Sequence, residues 1–176
     1  MSDEITAGGI EEPRERISKR QRDLDEAANA LEFAIQSDQG GETAALAALH
    51  LGAIRAEQHD RDAAAAAFDL ALRSDHPDWA PRAAVNLGIL HAQYADWTLA
   101  AAAFEQAINS GHPEEAPKAG YMLGGVQLRQ GNETGKWTRA VATFQRVVES
   151  GHPAWAPRAD SRLDDPWSPA AYPFPF

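Results

Sequence analysis

Apolar residues along the chain fall into stripes of helical period, and beyond the first stripe they come in pairs. Leu24, Ala27, Ala28, Leu31, Ala34 and Ile35 recur at alternating three- and four-residue steps, the spacing that brings one face of an α-helix against a core. The stretch before them, Arg14 to Arg22, is mostly charged and has little to bury, so it reads as the solvated half of the same helix. That lead helix is predicted over 13–36, with Pro13 in its first turn, where proline is tolerated. Three helix pairs are predicted to follow, 43–58 with 61–74, 79–94 with 97–110, and 115–130 with 136–150. Asp60 and Asp96 stand immediately before second helices and are expected to cap them. Gly111 and Gly151 follow second helices, where a left-handed residue is wanted. Pro81, Pro117 and Pro157 fit only within a first turn, which sets helix starts near Asp78, Glu114 and Ala154.

The pairs are copies of one unit. Leu51-Gly52, Leu87-Gly88 and Leu123-Gly124 are 36 residues apart. Phe68 and Phe104 keep that period, whereas Phe104 and Phe144 are 40 apart. The four extra residues fall at 131–135, read as the turn inside the third pair, where an insertion costs least. A fourth unit opens at His152-Pro-Ala-Trp-Ala-Pro-Arg158 and stops at Asp164-Asp165-Pro166. The expected organisation is a polar, frayed segment over 1–12 and a repeat domain over 13–163. The domain comprises the lead helix, units 43–74, 79–110 and 115–150, and a partial unit 154–163. A proline- and aromatic-rich tail over 164–176 follows; part of 167–176 is expected to fold back over the apolar end of the array, since an uncapped end is exposed, with a disordered tail or docking into a second copy's groove as the alternatives.

These residues resemble the tetratricopeptide repeat, a helix hairpin of about 34 residues with leucine-glycine in its first helix and an alanine, a phenylalanine and a small residue at fixed offsets in its second. Leu87-Gly88, Ala100, Phe104 and Ala107 fit those offsets, as do Leu51-Gly52, Ala64, Phe68 and Ala71. Gly124, Ala140, Phe144 and Val147 fit once the insertion is allowed. Here the unit is 36 residues, and Ala48, Ala84 and Gly120 replace an early large aromatic. The variable unit length is also similar to Sel-like repeats. The resemblance covers about 24–162 and implies an all-α fold, a right-handed α-solenoid of antiparallel helix hairpins, with first helices lining a concave groove.

Composition narrows the function. Alanine runs at 63–67 and 100–103 favour closely packed helices. A net charge of −10 argues against nucleic acid as a partner. The chain has no cysteine, hence no disulfide or thiolate chemistry, which fits a reducing compartment. The acidic start resembles no signal peptide, and no apolar run approaches a membrane span. A cytoplasmic protein without membrane contact is the expectation.

Catalytic patterns are weak. Gly131-Asn-Glu-Thr-Gly-Lys136 brings its glycines one residue too close for a phosphate loop, with Trp137 in place of the hydroxyl residue. Asn132-Glu-Thr134 is an acceptor sequon that reads here as a polar turn. His76, His112 and His152 recur at equivalent points of successive units. Neighbouring packed helices lie about 8–10 Å apart, too far for ligands of one zinc ion, so these are expected to be turn residues. No enzyme activity, metal or cofactor is expected.

One recurring set points to binding. Arg82, Lys118 and Arg158 occupy one position near the start of successive first helices, where a cation opposes the helix dipole. Two readings stay open: a surface for an acidic partner, or local pairing with acidic groups of the neighbouring unit. His50, Asn86 and Met122 lie on the same helical face. The expected function is a scaffold or adaptor that binds a protein or peptide, one of acidic character, through the concave face at His50, Arg82, Asn86, Lys118, Met122 and Arg158. The alternatives are a self-associating repeat protein, or a short relative of a larger regulator that lacks the catalytic or DNA-binding part.

Overall fold

The computed structural model of the chain describes residues 13–38, 41–134 and 138–165. The expectations for segment 1–12, for Trp137 and for the tail from 166 onward lie outside the described residues. Eight helices are found among the described residues: α1 (Pro13–Asp38), α2 (Glu42–Glu57), α3 (Arg61–Arg73), α4 (Trp79–Gln93), α5 (Trp97–Asn109), α6 (Glu115–Thr134), α7 (Thr138–Glu149) and α8 (Ala156–Asp164). Each packs on the next. First helices also touch one another directly, α2 on α4, α4 on α6 and α6 on α8, whereas the second helices α3, α5 and α7 make no comparable contact with one another. The first helices therefore form the inner layer of a curved stack. The fold is an all-α solenoid of antiparallel hairpins.

The frame of each unit comes from a glycine facing a phenylalanine. A Cβ on Gly52 would stand 2.5 Å from the ring of Phe68, one on Gly88 2.5 Å from Phe104, and one on Gly124 2.5 Å from Phe144. No real Cβ tolerates that approach, so the two helices cross closely only because the glycines have none. Phe68, Phe104 and Phe144 are buried, as are Ala64, Ala100 and Ala140 one turn before them. The lead helix joins this array through Ala28, Leu31 and Ile35, which pack against Leu51, Ile54 and Ala67. Arg55 bonds Glu32 across that contact at 2.6 Å.

Three local expectations are revised or refined. The four extra residues of the third unit do not widen a turn. They lengthen α6 to 20 residues, against 16 in α2 and 15 in α4. An interior glycine costs a helix only about 1 kcal/mol, less than the hydrogen bonds of an added turn return. Asp60 caps α3 as expected, accepting from the Ala63 N–H at 3.1 Å. Asp96 sits at the start of α5 but makes no such bond; its carboxylate is taken by Arg61 of the preceding unit. Gly111 and Gly151 adopt φ of 67° and 64°, as a helix C-terminus requires. In the first unit Asp75 fills the same position at φ 53°. His59 and Ala95, in the turns inside the hairpins, also sit at φ 61° without being glycine.

Candidate partner-binding surface

The surface starts from the joints between units. In each, the histidine of the His-Pro turn uses both ring nitrogens. Nδ1 of His76 accepts from the N–H of Asp78 at 3.2 Å. Nδ1 of His112 accepts from Glu114 and Glu115 at 3.2 Å, and Nδ1 of His152 accepts from Ala154 at 3.2 Å and Trp155 at 3.3 Å. These are backbone donors at the start of the next first helix, which an N-cap satisfies. An accepting Nδ1 leaves the proton on Nε2. That atom faces a carboxylate of the preceding unit: Glu42 at 3.8 Å from His76, Asp78 at 3.5 Å from His112, and Glu114 at 3.1 Å from His152. The recurrence of histidine thus has a structural cause, one ring tying two units together.

The joints place the basic row beside aromatic and acidic neighbours. Residues 79, 115 and 155 are equivalent, and they are Trp79, Glu115 and Trp155. The Arg82 guanidinium lies 5.3 Å over the Trp79 ring, and Arg158 lies 4.7 Å over Trp155, a favourable cation–π arrangement. Trp155 in turn packs on Tyr121 at 5.4 Å, closing the joint between the third unit and α8. Glu115 is 6% exposed. It accepts from Arg82 of the preceding unit at 3.1 Å and from Lys118 of its own helix at 3.3 Å. Local pairing therefore holds for Arg82 and Lys118, which share one carboxylate and leave one net positive charge. For Arg158 the contact found among the described residues is the Trp155 ring.

The remaining predicted residues divide by exposure. His50 is exposed and Asn86 half-buried on successive first helices. Met122, 8% exposed, belongs to the core of α4 to α8. Sequence reasoning missed Glu115, which stands where the neighbouring units have tryptophan; that single break in the repeat was the available signal. It also missed His91 on the opposite face of α4. Nδ1 of His91 is buried with no hydrogen-bond partner. Burial lowers its pKa below the ordinary histidine value, Arg61 lowers it further, and Asp69 opposes both. Neutral imidazole is the form this site favours.

Stacked antiparallel hairpins with this glycine–phenylalanine frame define a helical-repeat protein. Residues 85–152, which span most of α4 through the end of the third unit, match the family model of the tetratricopeptide repeat. That stretch carries tetratricopeptide repeats, and such repeats generally serve as non-catalytic modules for protein–protein interaction. No curated protein matches the chain. No helix among the described residues is long and apolar enough to cross a membrane.

Proposed function

We propose that the chain is a cytoplasmic adaptor that binds a protein or peptide of acidic character on its inner face. The observation that carries this reading is the excess of cations around Glu115. Arg82 and Lys118 share that one carboxylate, and Arg158 continues the row, in a chain of net charge −10. His50 and Asn86 extend the same face as neutral polar contacts, and Met122 backs it from within the core. Electrostatic complementarity of this kind sets partner choice and association rate more than total affinity. The indole rings under Arg82 and Arg158 hold the guanidinium planes in place, which lowers the cost of ordering them on binding.

The test uses the full chain as bait in the native cell extract, beside an Arg82→Glu/Lys118→Glu variant whose helicity is checked by circular dichroism. A partner held by the wild-type chain and released by moderate salt should be lost by the variant. Undiminished capture by a folded variant would remove the inner face from the account.

A further inference from the structure

The outer face carries a second recess, independent of the inner row. Helices α5 and α7 both pack on α6 and make no comparable contact with each other, and a groove runs between them with α6 as its floor. Its two ends share Ile108, Leu123, Thr143 and Arg146. One end, about 190 Å³, is apolar and is closed by Pro117, Gly120 and Val147. The other, about 390 Å³, is polar and holds Gln127 on the floor. Arg139 and Arg146 stand on the α7 wall and Glu105 on the α5 wall.

Charge marks this groove as a site. Gln127 on the floor is buried and pairs with Thr143 at 2.8 Å, and the Thr143 hydroxyl also lies 3.0 Å from the Arg139 carbonyl, so the floor is satisfied from within and the walls carry the free charge. Arg139 and Arg146, one to two turns apart on α7, have no ion-pair partner among the described residues. With Glu105 opposite, the field across the groove draws an anion to the α7 side and away from α5. Two guanidinium groups suit a carboxylate, and the apolar end takes a bulky side chain next to it.

We propose that the α5–α7 groove is a second recognition site, for a peptide segment of a protein partner that presents a carboxylate beside a large apolar side chain. The carboxylate pairs with Arg146 and Arg139. The apolar side chain fills the space over Gly120 and Val147. The carboxylate belongs either to an acidic side chain or to a chain terminus, and the experiment separates the two.

Two random twelve-residue peptide libraries are selected on the full chain, one with free carboxyl termini and one displayed within a loop. Both are counter-selected on the full-length Arg139→Glu/Arg146→Glu variant. Both substituted side chains are exposed, so the fold is retained, and circular dichroism confirms it. Enriched peptides should pair an acid with a bulky apolar residue. They should bind the double variant at least about tenfold more weakly. Their affinity for the Arg82→Glu/Lys118→Glu variant should be unchanged, which separates this site from the inner face. Enrichment in both libraries identifies a side-chain carboxylate, and enrichment confined to free termini identifies a terminal one. Peptides without acids, binding that survives the reversal on α7, dependence on Arg82 and Lys118 instead, or no enrichment over the counter-selected variant would each overturn the proposal.

Discussion

The groove between α3 and α5 and the groove between α5 and α7 share one backbone frame and several equivalent residues, Pro81 with Pro117, Leu87 with Leu123 and Ser110 with Ser150, but differ at the polar and charged positions. Gly88 faces Phe104 as Gly124 faces Phe144, each at 2.5 Å from an imagined Cβ. Around that constant pair, His91 stands where the later groove has Gln127, Leu99 where it has Arg139, Ala103 where it has Thr143, and Gln106 where it has Arg146. Leu99 is 51% exposed, and the earlier groove carries no arginine pair on that wall. The frame positions are those where one helix touches another; the varied positions face the space between second helices. A repeat holds its geometry with a few small and aromatic residues, which leaves neighbouring copies free to acquire different chemistry.

The largest effect should come from breaking what the two units share. Gly88→Leu forces a side chain into the Phe104 ring and should cost roughly 1–3 kcal/mol by overpacking. Gly124→Leu should cost about the same against Phe144. Chemical denaturation of both variants checks this, and an unequal pair would show that the frames are not equivalent. Next comes the residue that most distinguishes the third unit's joint. Glu115→Gln leaves Arg82 and Lys118 facing each other without their carboxylate, and should cost about 1–2 kcal/mol given that both cations remain partly solvated. The loss should shrink in high salt.

A smaller effect, of opposite sign, is expected in the turn that separates the α4 and α5 frame positions. Ala95 sits at φ 61° with a Cβ that the left-handed region disfavours, so Ala95→Gly should raise stability by about 1 kcal/mol, read as a higher melting temperature. The smallest effect belongs to the residue that separates the two groove floors. The pKa of His91 is depressed in the folded chain, first by burial and then by Arg61. The unfolded state therefore binds more protons between the two pKa values. Its contribution to stability is complete above the unfolded value and is lost as pH falls through the folded one. His91→Gln, which copies the later groove, should flatten the stability profile below about pH 6.5 and leave it unchanged at pH 8. Denaturation midpoints across that range decide it.

How much of this was legible in the sequence follows from what recurs. The hairpins and the helix-crossing frame were, because leucine-glycine, alanine and phenylalanine return at one period and their packing role is local. The left-handed turns at Gly111 and Gly151 were legible for the same reason. Recurrence misled where a tertiary partner intervened: Asp96 matches Asp60 in position, yet Arg61 draws its carboxylate off the helix end. The turn histidines were recognised as turn residues, but their approach to carboxylates 34 or 38 residues earlier needed the stacking of units. The insertion looked like a turn because it contains two glycines, and hydrogen bonding carried α6 through the first of them. Gln127, Arg139 and Arg146 were not legible, and Glu115 showed only as a break in the recurring tryptophan position. Each appears once, and only the fold brings them to a buried pair or a common groove.

The most direct measurement for the central claim is hydrogen–deuterium exchange on the full chain with and without its captured acidic partner. Binding on the inner face predicts slowed exchange in the first helices around Arg82 and Lys118 and at the start of α8 near Arg158, with α3 unaffected. Unchanged exchange in α4, α6 and α8 on a saturated complex would contradict it.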